Sequence, residues 1–182
     1  SQNISAASIE AVLTGRTKAI IVVHLAGWPS EMDAILALAK ERSLRVIEDC
    51  AQSVGARYKG RATGAMGDIG AFSFCQDKII TTGGEGGMLV TDSRELWEKA
   101  WSYKVHGNSY AAVSDREDQT RSGHAHQSLC TNSGLTEMQS AIGRQQLHKL
   151  PQWLATRRRN ARLLSAGFAG IPGLRLALPP GY

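Results

Sequence analysis

Apolar positions along the chain fall into short continuous runs that alternate with stretches of helical spacing. Thr17-Lys18-Ala19-Ile20-Ile21-Val22-Val23-His24 is one such run, rich in β-branched residues. It has the pattern of a strand covered on both faces in a parallel sheet. After the turn Gly27-Trp28-Pro29-Ser30, apolar Met32, Ile35, Leu36, Leu38 and Ala39 recur on one helical face, with Ser30 placed to cap it. Residues 44–48 read as a second strand. Strand, helix, strand over this length is a βαβ crossover, which sets the two strands parallel in one sheet. A short helix over 7–14 precedes them.

Residues 55–70 are glycine-rich and without period, so they read as a long irregular connection, a feature usually tied to function in compact domains. Residues 70–74 and 87–91 read as two short strands flanking a loop that contains Lys78. Asp92-Ser93-Arg94-Glu95 opens a helix to about residue 104, and 106–131 is a polar loop. Thr136 begins a helix through Leu147, and Pro151 is expected to open a separate helix to about residue 166. Residues 170–176 look like the start of a further strand. Together these elements predict an α/β fold, a mostly parallel sheet flanked by helices. Its ligand belongs at the carboxyl ends of the strands.

The 182 residues suffice for one ordinary domain with a real core. No apolar run approaches the ~20 residues of a membrane span, and the start does not resemble a signal peptide. That start is Ser1 rather than Met, as in a processed product or a fragment. The formal charge of +5 gathers at 40–45 and at Arg157-Arg158-Arg159. Without interleaved aromatics these clusters read as solvated helix faces, not as a nucleic-acid surface. Cys50, Cys75 and Cys130 are odd in number and lack CxxC spacing. This argues against a disulfide framework or zinc site and fits a reducing cytoplasm. His106, His124 and His126 lack the spacing and carboxylates of a metal centre, so no metal is expected.

The chemistry lies in two segments. Val46-Ile47-Glu48-Asp49-Cys50-Ala51-Gln52 is an apolar strand ending in acids, and Phe72-Ser73-Phe74 leads through Lys78 to Gly83-Gly84-Glu85-Gly86-Gly87. A strand-end Asp and a loop Lys are the two parts a protein must supply to run pyridoxal phosphate (PLP). The amine holds the aldehyde as a Schiff base, and the carboxylate keeps the pyridinium nitrogen protonated. Asp49 could instead cap a helix, and Gln52 is either a cofactor contact or a polar loop residue. Ser73 is either a strand hydroxyl or a phosphate ligand, and Glu85 reads as a structural carboxylate fastening the tight loop. The glycine run lacks P-loop spacing, and no GxGxxG follows a first strand. A Cys75–His24 thiol–base pair has no oxyanion donor placed for it.

Four blocks in order resemble the DegT/DnrJ/EryC/StrS group of PLP-dependent nucleotide-sugar aminotransferases, of fold type I. They are Ala19 to Gly27; Glu48-Asp49-Cys50-Ala51-Gln52 with Gly55-Ala56; Gly67-Asp68 and Phe72 through Lys78 to Gly87; and Thr136 to Gly143 with Gln146-Leu147. The resemblance implies that Lys78 carries the cofactor and moves the proton. It implies that Asp49 binds the pyridine nitrogen, Gln52 the ring and Ser73 the phosphate. Asn132 would reach the partner's phosphate in a homodimer with a shared active site. The implied substrates are a nucleotide-linked keto sugar and an amino-acid donor, glutamate, in surface-polysaccharide or antibiotic-sugar synthesis. Relatives with His in place of the lysine dehydrate sugars, so Lys78 argues for the transaminase branch. A degenerate, PLP-holding sensory module is the non-enzymatic alternative.

Two departures stand out. Ser133-Gly134 follows Asn132 where the family has an aromatic residue and an Arg. The chain is also about half the usual family length. Residues 1–150 are therefore expected to be part of the large PLP-binding domain without its N-terminal segment. Residues 151–182 would be a linking helix and the start of the small C-terminal domain.

Overall fold

The computed structural model describes residues 2–108, 110 and 129–178. In chain order its elements are α1 (Ala6–Glu10), β1 (Ala19–Val23), α2 (Met32–Glu41), β2 (Arg45–Asp49), β3 (Arg57–Tyr58), β4 (Arg61–Ala62), β5 (Ile69–Ser73), β6 (Gly87–Val90), α3 (Arg94–Lys104) and α4 (Glu137–Phe168). The main sheet has the order β1-β2-β5-β6. β1, β2 and β5 run parallel, and β6 returns antiparallel along β5. The predicted βαβ unit is present, with α2 as its crossover.

The register puts Val23 beside Asp49, Asp49 beside Ala71, and Ala71 beside Leu89. Side chains alternate along a strand, so even-numbered residues of all four strands share one face and odd-numbered residues the other. On the even face Ile20, Val22 and Val46 are buried against Ile9 of α1 and Ile35, Leu38 and Ala39 of α2. On the odd face Ile21 is 62% exposed, Val23 40% and Leu89 43%. The β-branched run of β1 predicts cover on both faces, and the described residues cover one.

Several local expectations are corrected. The connection over 55–70 contains the small antiparallel ribbon β3–β4. Ser30 does not cap α2. Its hydroxyl donates to the Val23 carbonyl at 3.2 Å, and Glu31 takes the N-cap place without capping the helix amides, its carboxylate accepting instead from the Tyr58 hydroxyl at 3.3 Å. Residues 170–176 form turns and then irregular chain rather than a strand, and α1 is shorter than predicted. The 106–131 loop, with His124 and His126, lies largely outside the described residues.

Pro151 does not open a new helix: α4 runs unbroken for 32 residues with Pro151 inside it. Its start is a capping box between Thr136 and Gln139. A proline within a helix withholds one hydrogen bond and crowds the preceding turn, so packing must hold the two halves in line. Leu150 and Trp153 flank Pro151 and pack against Val54, Phe74 and Ile80. Leu154 closes on Gly55, where a side chain would collide with its Cδ1. Among the described residues no helix is long and apolar enough to cross a membrane.

Candidate active site

Asp49 is the last residue of β2 and Ser73 the last of β5, so both sit at the carboxyl edge of the parallel strands. Both are odd-numbered, which places their side chains on the uncovered face. The Asp49 main chain is fixed from both sides: its carbonyl accepts from the His24 amide at 3.1 Å, and the next amide, of Cys50, donates to the Ala71 carbonyl at 2.8 Å. Its carboxylate accepts from the Ala51 amide through Oδ1 at 3.0 Å, a local Asx turn. No helix follows, so Asp49 is not a helix cap.

The Lys78 loop leaves the end of β5 directly. The Cys75 amide approaches Ser73 Oγ at 3.4 Å, and the Lys78 amide donates to the Cys75 carbonyl at 3.1 Å. The Lys78 side chain is 20% exposed, with Nζ 3.7 Å from Asp77 Oδ1. The Cys75 thiol donates to that same oxygen at 2.8 Å. This hydrogen bond first, and the Lys78 charge after it, hold the Asp77 carboxyl below its ordinary value.

Helix α4 fastens the loop to the rest of the fold. The Thr81 amide donates to Gln146 Oε1 at 2.8 Å, and Gln139 Nε2 donates to the Glu85 carbonyl at 3.0 Å. Thr82 Oγ1 donates to that carbonyl as well, at 3.1 Å. It is therefore the main chain of Glu85, not its exposed carboxylate, that ties the glycine-rich turn. Gly143 lets the two segments meet, because a Cβ there would stand 2.9 Å from Thr82 Cγ2. Thr81 keeps a buried hydroxyl with no hydrogen-bond partner among the described residues.

Gln52 reaches the turn after β1, where its Oε1 accepts from the Ala26 amide at 2.7 Å. Ala26 there has a positive φ of 54°, and the Gln52 hydrogen bond satisfies its amide in that unfavourable backbone. Asn132 is exposed and forms an isolated bridge with Val105 just past α3. No hydrogen bond links it to Asp49, Ser73 or Lys78 among the described residues. The fold thus gathers Asp49 and Ser73 on one face with the Lys78 loop beside them, ties Gln52 to the β1 turn, and leaves Asn132 on a separate segment.

Sequence reasoning missed the couple directly behind Asp49. His24 and Glu48 are fully buried, with Nε2 and Oε2 2.9 Å apart. Glu48 also accepts from the amides of Gly64 at 2.8 Å and of Met66 and Gly67 at 2.7 Å. Burial pushes its carboxyl up, but the bonds from His24 and from the Gly67, Gly64 and Met66 amides outweigh that and hold it below its ordinary value. The signal was available: alternation from Val46 already assigns Glu48 to the core face. Cys50 lies beside the couple, the three ligand atoms falling within 4.8 Å of one another. Burial pushes its thiol up to about 11, and metal binding needs the thiolate.

The family model described as the DegT/DnrJ/EryC1/StrS aminotransferase family matches residues 1–181. The chain belongs to that family. It is 42% identical over 176 residues to a UDP-N-acetyl-3-dehydro-alpha-D-glucosamine 3-aminotransferase of Acidithiobacillus ferrooxidans, covering 97% of this chain and 44% of that protein. Its fold matches an aminotransferase from Psychrobacter cryohalolentis with a TM-score of 0.88 and 54% identity, over 92% of this chain and 42% of the other. It also matches DesV of S. venezuelae, solved in complex with a ketimine intermediate, with a TM-score of 0.86 and 36% identity. That match covers 98% of this chain and 45% of DesV. The chain spans less than half the length of the relatives it matches.

Proposed function

We propose that this chain is part of a PLP-dependent aminotransferase that moves an amino group, with glutamate as donor, to a nucleotide-linked keto sugar. One observation carries the reading. The carboxylate of Asp49 and the hydroxyl of Ser73 share the uncovered face at the carboxyl edge of the sheet, where the Lys78 loop begins. This donor set fits the cofactor by type: an acid for a pyridinium, a hydroxyl for a phosphate and an amine for an aldehyde. Family membership and the likeness to a UDP-sugar 3-aminotransferase support the substrate class.

When bound, PLP supplies an electron sink for the carbon that loses its proton. Asp49 offers Oδ2 to the ring nitrogen, since Oδ1 is already taken by the Ala51 amide. Lys78 would hold the aldehyde, and its amine, when free, would serve as the base that moves a proton between neighbouring carbons. Ser73 donates to the phosphate. Gln52, with Oε1 engaged by Ala26, has its amide hydrogens to offer the ring.

Asn132 serves the partner's site in a homodimer. Exposed Ile21, Val23 and Leu89 on the sheet and Leu163, Leu164 and Phe168 on α4 supply apolar surface for such assembly. Residues 1–150 belong to the large domain and 151–182 lead to a smaller one, joined by the continuous α4. The setting is the cytoplasm.

The test is an absorbance spectrum of the full-length protein after PLP addition, beside Lys78→Ala. A near-visible band present in the parent and missing in the variant is expected, bleached by glutamate and restored by the keto sugar. A band that survives Lys78→Ala overturns the reading of Lys78. A sugar that loses oxygen without gaining nitrogen overturns the transaminase assignment.

A further inference from the structure

The His24–Glu48 couple takes no part in the chemistry proposed above, yet it occupies the back of the strand end that carries Asp49. The Ser30 amide donates to His24 Nδ1 at 3.1 Å. That fixes the ring proton on Nε2, from which it is donated to Glu48 at 2.9 Å. With the Gly64, Met66 and Gly67 amides also on its oxygens, the carboxylate is fully engaged. His24 has a partner on each ring nitrogen. The pair and Cys50 lie close enough to suggest a metal, but those hydrogen bonds leave no free ligand atom on His24 and no spare donor-free oxygen on Glu48.

What the couple controls is direction. His24 follows the last residue of β1 and Glu48 precedes the last of β2, and their side chains meet on the even face. The His24 main chain bonds the Asp49 carbonyl at 3.1 Å. The two strand ends are therefore pinned together twice, once through main chain and once through side chains. Asp49, the next residue after Glu48, has its Cα–Cβ direction set by that pinned backbone. An apolar pair could fill the same space with less desolvation, but it would not fix the rotation of the strand end. Pre-organisation of a functional group by hydrogen-bonded residues behind it is the general device.

We propose that His24 and Glu48 are positioning residues for Asp49: from the opposite face of the sheet they aim its free carboxylate oxygen at the cofactor's ring nitrogen. The proposal rests on the reading of Asp49 given above.

The experiment uses full-length protein loaded with PLP labelled with nitrogen-15 in the ring. The nitrogen-15 shift reports whether the ring nitrogen is protonated, a property that general stability does not move. In the parent the protonated position is expected. His24→Leu and Glu48→Gln should shift the signal toward the unprotonated position while PLP remains attached through Lys78. His24→Gln keeps a donor toward Glu48 and should restore the parent signal. If His24→Leu does not fold, as judged by circular dichroism, the comparison rests on the isosteric Glu48→Gln against His24→Gln.

Asp49→Ala separates the two levels. A nitrogen that loses its proton in Asp49→Ala but keeps it in His24→Leu and Glu48→Gln overturns the positioning role and leaves Asp49 as assigned. A nitrogen that keeps its proton in Asp49→Ala overturns the assignment of Asp49, and the positioning role with it.

Discussion

The Thr81 amide and the Gln146 side chain, 65 residues apart in sequence, meet in a 2.8 Å hydrogen bond that joins the Lys78 loop to α4. Replacing Gln146 by Leu keeps the side chain's bulk but strands a partly buried amide. Such an unmet donor costs about 1–3 kcal/mol. A lower urea midpoint with unchanged slope is expected for Gln146→Leu. An unchanged midpoint would mean that water replaces the bond and that the Gln139–Glu85 bond and the packing of Ile80 and Phe74 suffice to hold the loop.

Acid should weaken the fold through Glu48. Its folded carboxyl lies below the ordinary value, because the His24 and backbone hydrogen bonds outweigh burial. A depressed carboxyl contributes stability that is complete above the unfolded value of about 4.3. That contribution is lost as pH falls through the lower folded value. Urea midpoints should therefore change little on Glu48's account between pH 7 and about 5 and fall below about 4. In Glu48→Gln the midpoint should be lower at pH 7 and its fall in acid shallower. An acid slope that is identical in both proteins would assign the loss to other groups, of which Asp68 is the foremost. There burial is outweighed by the Val46 amide and Arg45, which hold its carboxyl down.

Pro151 is the residue in α4 least suited to its place. Proline in a helix interior costs about 3 kcal/mol relative to alanine, part of which it returns by restricting the unfolded chain. Pro151→Ala should therefore raise stability by about 1–2 kcal/mol, read as a higher melting temperature. A lower melting temperature would show that the ring's own contacts matter more, since Pro151 lines a cleft with Gly55, Ala56 and Ala62 beside the β3–β4 ribbon.

Much of the frame was legible because it follows from local pattern. The apolar runs of β1 and β2, the helical spacing of α2, and the strands around Lys78 are properties of neighbouring residues, and the structure places them within a residue or two of expectation. The rest depended on residues distant in sequence. Ser30 has the composition of a cap, but His24 and the Val23 carbonyl claim its polar groups. Pro151 carries a break signal that Leu150, Trp153 and Leu154 override by packing on either side of it. Asp49 and Lys78 could be singled out as a pair from type and position. Glu48 could not be given its partner without the β1–β2 register, which brings His24 alongside.

Two acids in succession make β2 intolerant of changes in its length. Deleting or inserting one residue within the strand would invert its faces. Glu48 would then turn outward without its ring of donors, and Asp49 would turn into the core with no counterpart to receive it. A length change at the Lys59-Gly60 turn of the β3–β4 ribbon, away from Ala51 and from the Gly64, Met66 and Gly67 amides, would leave both acids their partners. Among variants of this sequence, gaps should therefore collect at that turn and spare residues 45–49 and 64–67, whatever substitutions the strand accepts.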